Sequence, residues 1–323
     1  MNNYNFLQKK LHKLVLGFNF IKKSLFEVEK NIFLSKKNIR NNSHIFISGL
    51  PRSGTTTLLN YFYNTNDYAS LTYKDMPFVL TPNIFSKFSS NKKIPRTERI
   101  HQDGVIYDQD SPDTFDEVLF LTFKKNNEII NSYNDLISLI LNKYKKEKYL
   151  SKNNNNYKRI DLILSHFPQS YVLIPFRDPL QHANSLLKTH LVFVEKQKKD
   201  LFILEYMNFL GHHEFGLNHV YWFKPVNYNN PNDINYWLEQ WNLFYLNLEK
   251  KYLEKKINVL FINYENLCKN SDSKKMLSKK LDLKHSIDFQ FKYSHKNVNF
   301  DYDKNVLEQC GYTYDKLTSK SFI

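Results

Sequence analysis

The sequence predicts an α/β protein of three layers, a mainly parallel central sheet with helices on both faces. Three observations lead there. Short apolar runs recur, HIFI at 44–47, YVLIPF at 171–176 and INVLFI at 257–262, and each precedes a stretch of helical periodicity. Strands without alternation, buried on both faces, belong to parallel sheets whose crossovers are helices. The first run also enters Gly49-Leu50-Pro51-Arg52-Ser53-Gly54 and then a helical pattern with Leu58, Leu59 and Phe62 on one face. Strand, glycine-bracketed loop and helix together turn backbone N–H groups and a helix N-terminus towards an anion.

In chain order, residues 1–42 read as basic helical segments, with Leu7, Leu11, Leu14, Val15 and Phe18 at helical spacing. They form an N-terminal extension to a single domain over 43–323, since no internal repeat or long linker divides the chain. A second short strand and a proline-punctuated loop fit 69–82, and the polar stretch 86–112 reads as a substrate-facing loop. At 112–124 a helix is expected with Ser111 as its N-cap and acids in the first turn, and a further amphipathic helix at 136–148. The run Asn153–Asn156 reads as a loop, 160–167 as a helix and 171–176 as a buried strand. Asp178-Pro179 stops that strand, and 181–190 restarts as a helix. The aromatic and His-rich stretch 200–235 shows no clear period; 237–255 is a long amphipathic helix and 257–262 a third strand.

Composition bounds the function. Hydrophobic residues make up 41% and aromatics 16% of 323 residues, a globular balance with ample core. The formal charge of +14 is carried mainly by Lys, with only Arg40, Arg52, Arg96, Arg99, Arg159 and Arg177 among the 46 basic residues. Abundant Lys, Asn, Ile, Phe and Tyr beside seven Gly indicate AT-rich codons, so a solvated lysine surface accounts for much of the charge. A basic face for an anionic ligand or a polyanionic glycan accounts for the remainder. Cys268 and Cys310 make neither a metal spacing nor a disulfide framework, which suits a reducing cytoplasm. No run approaches the roughly 20 apolar residues of a membrane span, and no leader is apparent; peripheral contact of the basic N-terminus with an anionic membrane stays open.

The chemistry begins at the loop. Gly49-x-x-x-x-Gly54 has Walker A spacing, but Thr55 and Thr56 stand where Lys and Ser or Thr belong, and the cation, Arg52, lies within the loop. Backbone N–H groups, the hydroxyls of Ser53, Thr55, Thr56 and Thr57, and Arg52 suit a terminal phosphate or sulfate. A second basic site follows the 171–176 strand, where Arg177 and, eight residues on, Ser185 can share a further phosphate. In open parallel sheets both segments fall at the strands' carboxyl ends, where ligands bind.

Together these segments resemble the sulfotransferase superfamily that uses 3′-phosphoadenosine 5′-phosphosulfate (PAPS). PRSGTT at 51–56 is similar to its 5′-phosphosulfate loop, Arg177 and Ser185 in RDPLQHANS to its 3′-phosphate site, and INYENL at 262–267, with Tyr264, to its late Tyr-Glu element. The likeness covers roughly 44–270, and it implies a P-loop-like sulfotransferase fold, PAPS as donor and no metal. It further implies sulfuryl transfer to an acceptor hydroxyl, with Arg52 at the departing oxygen and Lys152, in YLSKNNNN, facing the active site. The general base is Asp75 in YKDMP, at the place of a family Glu, or His101, because small-molecule members use a His; Asp103 and Glu117 are further acids nearby. The PRSGTT loop, the carboxylate at 75 and the Lys152 segment are closer to glycan- and tyrosylprotein-type members than to the small-phenol type. A saccharide or polysaccharide precursor is the expected acceptor, with no nucleic acid as partner.

His182, His190, His212, His213, Glu214 and His219 lack the paired helical spacing of a zinc site and read as loop or core residues. Basic and aromatic residues of the tail, Phe291 to Lys296, are placed to close over the nucleotide. Two alternatives make different demands. A P-loop small-molecule kinase needs Mg²⁺ and ATP, and a non-catalytic polyanion-binding protein binds with steep salt dependence and no nucleotide preference.

Overall fold

The computed structural model describes residues 4–35, 38–86, 97–98, 106–285 and 287–323. The chain runs α1 (Phe6–Gly17), α2 (Asn19–Phe33), β1 (Ile45–Ile47), α3 (Thr55–Asn64), β2 (Tyr68–Ala69), α4 (Pro82–Ser86), β3 (Thr97–Glu98), β4 (Ile106–Tyr107), α5 (Glu117–Thr122) and α6 (Asn126–Tyr144). It continues through β5 (Lys148–Lys152), α7 (Ile160–His166), β6 (Tyr171–Phe176), α8 (Pro179–Lys199), α9 (Leu201–Phe209), α10 (Ile234–Tyr252), β7 (Val259–Asn263), α11 (Tyr264–Lys269), α12 (Ser271–Lys280) and α13 (Lys304–Lys320). Strands β2-β5-β1-β6-β7 form one sheet in that order, every pairing parallel, while β3 and β4 form a separate antiparallel pair.

Alternation along each strand divides the interior in two. Ile45, Ile47, Leu150, Leu173, Leu260 and Ile262 face Leu58, Leu59 and Phe62 of α3 and Leu267 and Leu277 of α11 and α12. Phe46, Tyr149, Val172, Ile174 and Phe261 face the other way, onto Tyr133 and Ile137 of α6, Leu186 of α8 and Trp241 of α10. Both faces are covered, as near-continuous apolar strands require. β1 sits at the centre between β5 and β6. The chain leaves it outward to β2 on one side and returns to β6 on the other, and that reversal opens a crevice at the carboxyl ends.

Pro175 sits inside β6 without breaking the sheet. Tyr171 N–H donates to His44 and Val172 N–H to Asn258, so odd positions of β6 face β1. At residue 175 β1 has already given way to the loop, and a missing N–H leaves no ladder bond unmade.

Several boundaries differ from the sequence expectations. Lys148–Lys152 is a strand next to β1, where the sequence reading ends a helix at Lys148 and assigns no element to 149–152. Its KYLSK pattern carries no apolar run, yet four of its five residues are buried, because the strand is covered on both sides by tertiary packing. The helix expected from residue 112 begins at Glu117. Ser111 Oγ instead donates to Asp108 and receives Asp108 N–H, and Pro112 pairs with Thr72 in an isolated bridge. The unplaced stretch 200–235 holds α9 and then an irregular segment, and the tail ends in α13, packed on α10. The N-terminal helices are anchored: Phe26 is fully buried, and the Glu29 carboxylate accepts the N–H groups of Asn83 and Ile84 at the start of α4. Among the described residues no helix is long and apolar enough to cross a membrane.

Trp237 is fully buried on α10 and its indole N–H donates to Pro231 O at 2.8 Å. Trp237→Ala is expected to lower unfolding free energy by about 3–5 kcal/mol, measured as a shift of the urea midpoint.

Candidate active site

The loop after β1 is shaped by two left-handed residues. Gly54 has φ of 100° and Arg52, unusually for a side-chain-bearing residue, 71°. A Cβ on Gly54 would lie 2.3 Å from the Tyr264 ring, so glycine is required by the close cover of that ring as well as by φ. Ser53 Oγ donates to Leu50 O at 2.7 Å and closes the turn. α3 then starts at Thr55 with no side-chain cap, leaving its first N–H groups directed at the loop's concave side.

The strand end after β6 is bound to this loop. Arg52 Nε donates to Ser185 Oγ at 3.1 Å, and Arg177 Nη1 makes a long contact of 3.5 Å to Arg52 O. His182, completely buried one turn into α8, donates Nε2–H to Pro51 O at 2.8 Å. Burial, then the charges of Arg177 and Arg52, push its imidazole down to about 3. Asp178 caps α8 by accepting Gln181 N–H at 2.8 Å, with Pro179 in the first turn. Arg177 Nε is buried without a hydrogen-bond partner.

The Tyr-Glu element after β7 closes the same corner. Tyr264 lies over Gly54 and donates its hydroxyl to Lys292 O at 3.2 Å. Burial raises that phenol to about 12. Glu265 accepts Asp178 N–H at 2.9 Å and thereby fixes where Arg177 leaves the sheet. The tail joins them: Ser294 O accepts from Arg177 at 3.4 Å, Gln181 and Lys296 exchange two hydrogen bonds, and Tyr293 stands 5.7 Å from the guanidinium.

On the other flank of β1, Lys152 ends β5 opposite Ile47, the last strand residue before the loop. Its ammonium is 3.8 Å from Asp113, which also accepts the Tyr73 hydroxyl at 2.5 Å. The four-asparagine run, expected as a loop, is largely buried and enters a 3₁₀ turn at Asn154. Asn153 donates to Asp116 and Glu117, Glu117 holds Arg159 at 2.6 Å, and Asn154 donates to Glu214 at 2.9 Å. Asp75, 1% exposed, sits in a 3₁₀ turn with Oδ1 on Lys143 Nζ at 2.5 Å and Oδ2 on Thr72 N–H at 2.8 Å.

Residues 44–275 match the model of the sulfotransferase family. The chain belongs to that family. Among solved structures, sulfotransferase STF1 from Mycobacterium tuberculosis H37Rv superposes with a TM-score of 0.52 at 10% identity, covering 96% of this chain and 81% of that one. Sulfotransferase STF9 from Mycobacterium avium gives 0.47 at 11% identity over 98% and 79%. The first likeness concerns the fold alone, a mainly parallel sheet with helices on both faces. No curated protein matches the sequence.

Within this sulfotransferase, Arg52, Ser53, Gly54, Thr55, Thr56, Thr57, Arg177, Ser185 and Tyr264 meet at one end of β1 and β6. Lys152 lies across β1 from them. Asp75 is further out, on the segment after β2, with both carboxylate oxygens engaged. His101 and Asp103 lie outside the described residues. The sequence marked Glu265 within the Tyr-Glu element and read His182 as a loop or core residue, and the burial of His182 agrees, but their partners Asp178 and Pro51 had no local signal. The third case is the contact of His212 with Glu214, which the sequence did not pair. For that pair a signal exists, since Gly211 and Gly216 bracket it in a chain with seven glycines.

Unfolded, an imidazole titrates near 6.5; folded, His182 does so at about 3. Between these values the unfolded chain carries the extra proton, so the stabilisation is full above pH 6.5 and is lost as pH falls towards 3. From pH 7 to pH 5 the wild type is expected to lose about 2 kcal/mol more unfolding free energy than His182→Gln, compared by urea titration at both pH values.

Proposed function

We propose that this chain transfers a sulfuryl group from PAPS to a hydroxyl of an acceptor, a saccharide by preference. The observation that carries this reading is the convergence of two cationic anion sites: the Arg52 loop and Arg177, joined through the 3.1 Å contact of Arg52 with Ser185. Two sites so linked suit a ligand with two anionic ends, and the unpartnered, buried Arg177 Nε fits a phosphate oxygen. In this reading Ser53, Gly54 and Thr55 to Thr57 hold the 5′-phosphosulfate, Arg177 and Ser185 the 3′-phosphate, and Tyr264 covers the loop. The tail at Tyr293 and Ser294 closes beside the 3′-phosphate.

The acceptor oxygen loses its proton to a base and attacks sulfur in line. The bond from sulfur to the bridging oxygen breaks, and 3′,5′-ADP leaves with that electron pair. Arg52 meets the charge that develops on the departing oxygen, with Lys152 as a second cation from the flanking strand. Asp75 is 1% exposed, with Lys143 on Oδ1 and Thr72 N–H on Oδ2, so an acceptor hydroxyl has no open approach to it in this arrangement. We therefore assign it to holding the segment after β2 in place. The glycan preference rests on the form of the PRSGTT loop and of the Lys152 segment.

Calorimetric titration with 3′,5′-ADP and with ATP, without and with Mg²⁺, tests the donor. Binding of 3′,5′-ADP is expected without Mg²⁺, and Arg177→Ala is expected to weaken it about 10- to 100-fold, the worth of a charge-assisted hydrogen bond. Binding of ATP alone, and only with Mg²⁺, would assign a kinase instead, and absence of any nucleotide binding would reject both.

A further inference from the structure

The segment Gly211-His212-His213-Glu214-Phe215-Gly216 follows α9 and is clamped at both ends. Gly211 and Gly216 take φ of 69° and 89°, and a Cβ there would come within 2.9 Å of Glu117 and 2.2 Å of Gln197. The turn is thereby pressed onto α5 and α8, and His212 N–H donates to Met207 O at 2.9 Å. His212 Nδ1 lies 3.4 Å from Glu214 Oε2, while Glu214 Oε1 accepts from Asn154, two residues after Lys152. The carboxylate is shut in, with 9% of its side chain exposed, whereas the imidazole keeps 21% open.

We propose that His212, oriented by Glu214, is the general base that removes the proton of the acceptor hydroxyl. This rests on the sulfotransferase reading. With Nδ1–H directed at Glu214, Nε2 carries the lone pair that accepts the proton. The acceptor oxygen keeps its bonding electrons and uses them on sulfur, and the imidazolium is stabilised by the carboxylate behind it. The placement suits the demand: the pair is tethered through Asn154 to the segment that follows β5, close enough for Lys152 to act on the ring, and β5 lies on the opposite side of β1 from β6, the strand that leads to Arg177.

Charges face the ring from several elements. Lys152 from β5 disfavours the imidazolium, and Asp113 and Glu214 favour it. Glu117 with its partner Arg159 stands beside Gly211, and His213 with Lys158 beside Glu214. Burial by itself lowers the imidazole, but the charge and hydrogen bond of Glu214 outweigh it and hold His212 above its ordinary value. Burial likewise raises Glu214, and His212 with Asn154 reverses this and holds it down. A base acts when neutral, so activity falls on the acid side as His212 takes a proton.

Ring-nitrogen NMR titration of the full chain, with His212→Asn to identify the signal, decides the matter. Saturating PAPS is expected to raise the His212 pKa, because the sulfuryl oxygens bring negative charge close to the ring. Glu214→Gln is expected to lower it by about one unit. Release of 3′,5′-ADP from PAPS to water is expected to drop about 100-fold in His212→Asn while 3′,5′-ADP binding stays within about twofold. In Glu214→Gln the acid limb of that release moves to lower pH. A pair that merely braces the loop would change stability and leave the acid limb in place. A His212 pKa unmoved by PAPS, or release at the wild-type rate in His212→Asn, overturns the proposal. Failure of the wild type to bind 3′,5′-ADP overturns the sulfotransferase reading beneath it.

Discussion

The candidate site depends on the seam between the loop after β1 and the first turn of α8. Three contacts make it: His182 to Pro51 O, Arg52 to Ser185 and Arg177 to Arg52 O. Each partner is either backbone or a fixed side chain, so the left-handed Arg52 is held without any ligand contact. Because β1 and β6 are adjacent in the sheet, their register sets the separation of the two cations before either side chain is considered. The Tyr-Glu element after β7 acts on the same seam. Tyr264 restrains the loop from above, and Glu265 restrains the peptide that follows Arg177.

The opposite flank is organised by buried polar groups. Asp116 accepts from Tyr133, Tyr149, Ser151 and Asn153, and Glu117 from Asn153 and Arg159. Buried carboxylates are tolerable only when so satisfied, and once satisfied they fix the geometry of everything attached. Lys152 and Asn154 extend from this lattice, and through Asn154 so does the His212 and Glu214 pair. Burial pushes the Glu117 carboxyl upward against the pull of Arg159 and Asn153, a sign of how dry the region is. The molecule thus presents an outward cationic seam on one side of β1 and a rigid, desolvated polar floor on the other. The proposed transfer makes two different demands, since its departing group gains charge while its incoming one gives up a proton.

The elements legible in the sequence were those with strong local signals. The three apolar runs became β1, β6 and β7, and the periodic stretches became α3, α8 and α10 with shifted ends. β5 was not legible, because a strand next to the central one draws its burial from its neighbours and from α3 and α6 rather than from its own residues. The start of α5 was misplaced for a related reason. Ser111 and Asp113 have the composition of a helix start, but Asp113 is engaged with Thr114 N–H, Tyr73 and Lys152. Local preference yields where a tertiary partner offers a better bond.

The sequence by itself determined the family, the layered α/β class and the position of the two loops that carry Arg52 and Arg177. Those properties are encoded in contiguous residues: apolar runs, a glycine-bracketed turn with Arg52, and Arg177 at a strand end before Asp178-Pro179. The tertiary structure alone decided how candidate residues pair. It directed Asp75 to Lys143 across 68 positions, Asn154 to Glu214 across 60 and Asp178 to Glu265 across 87. Whether a carboxylate or an imidazole is spent on packing or kept open to a ligand depends on partners brought from afar. No local pattern specifies those partners; sheet order and burial do.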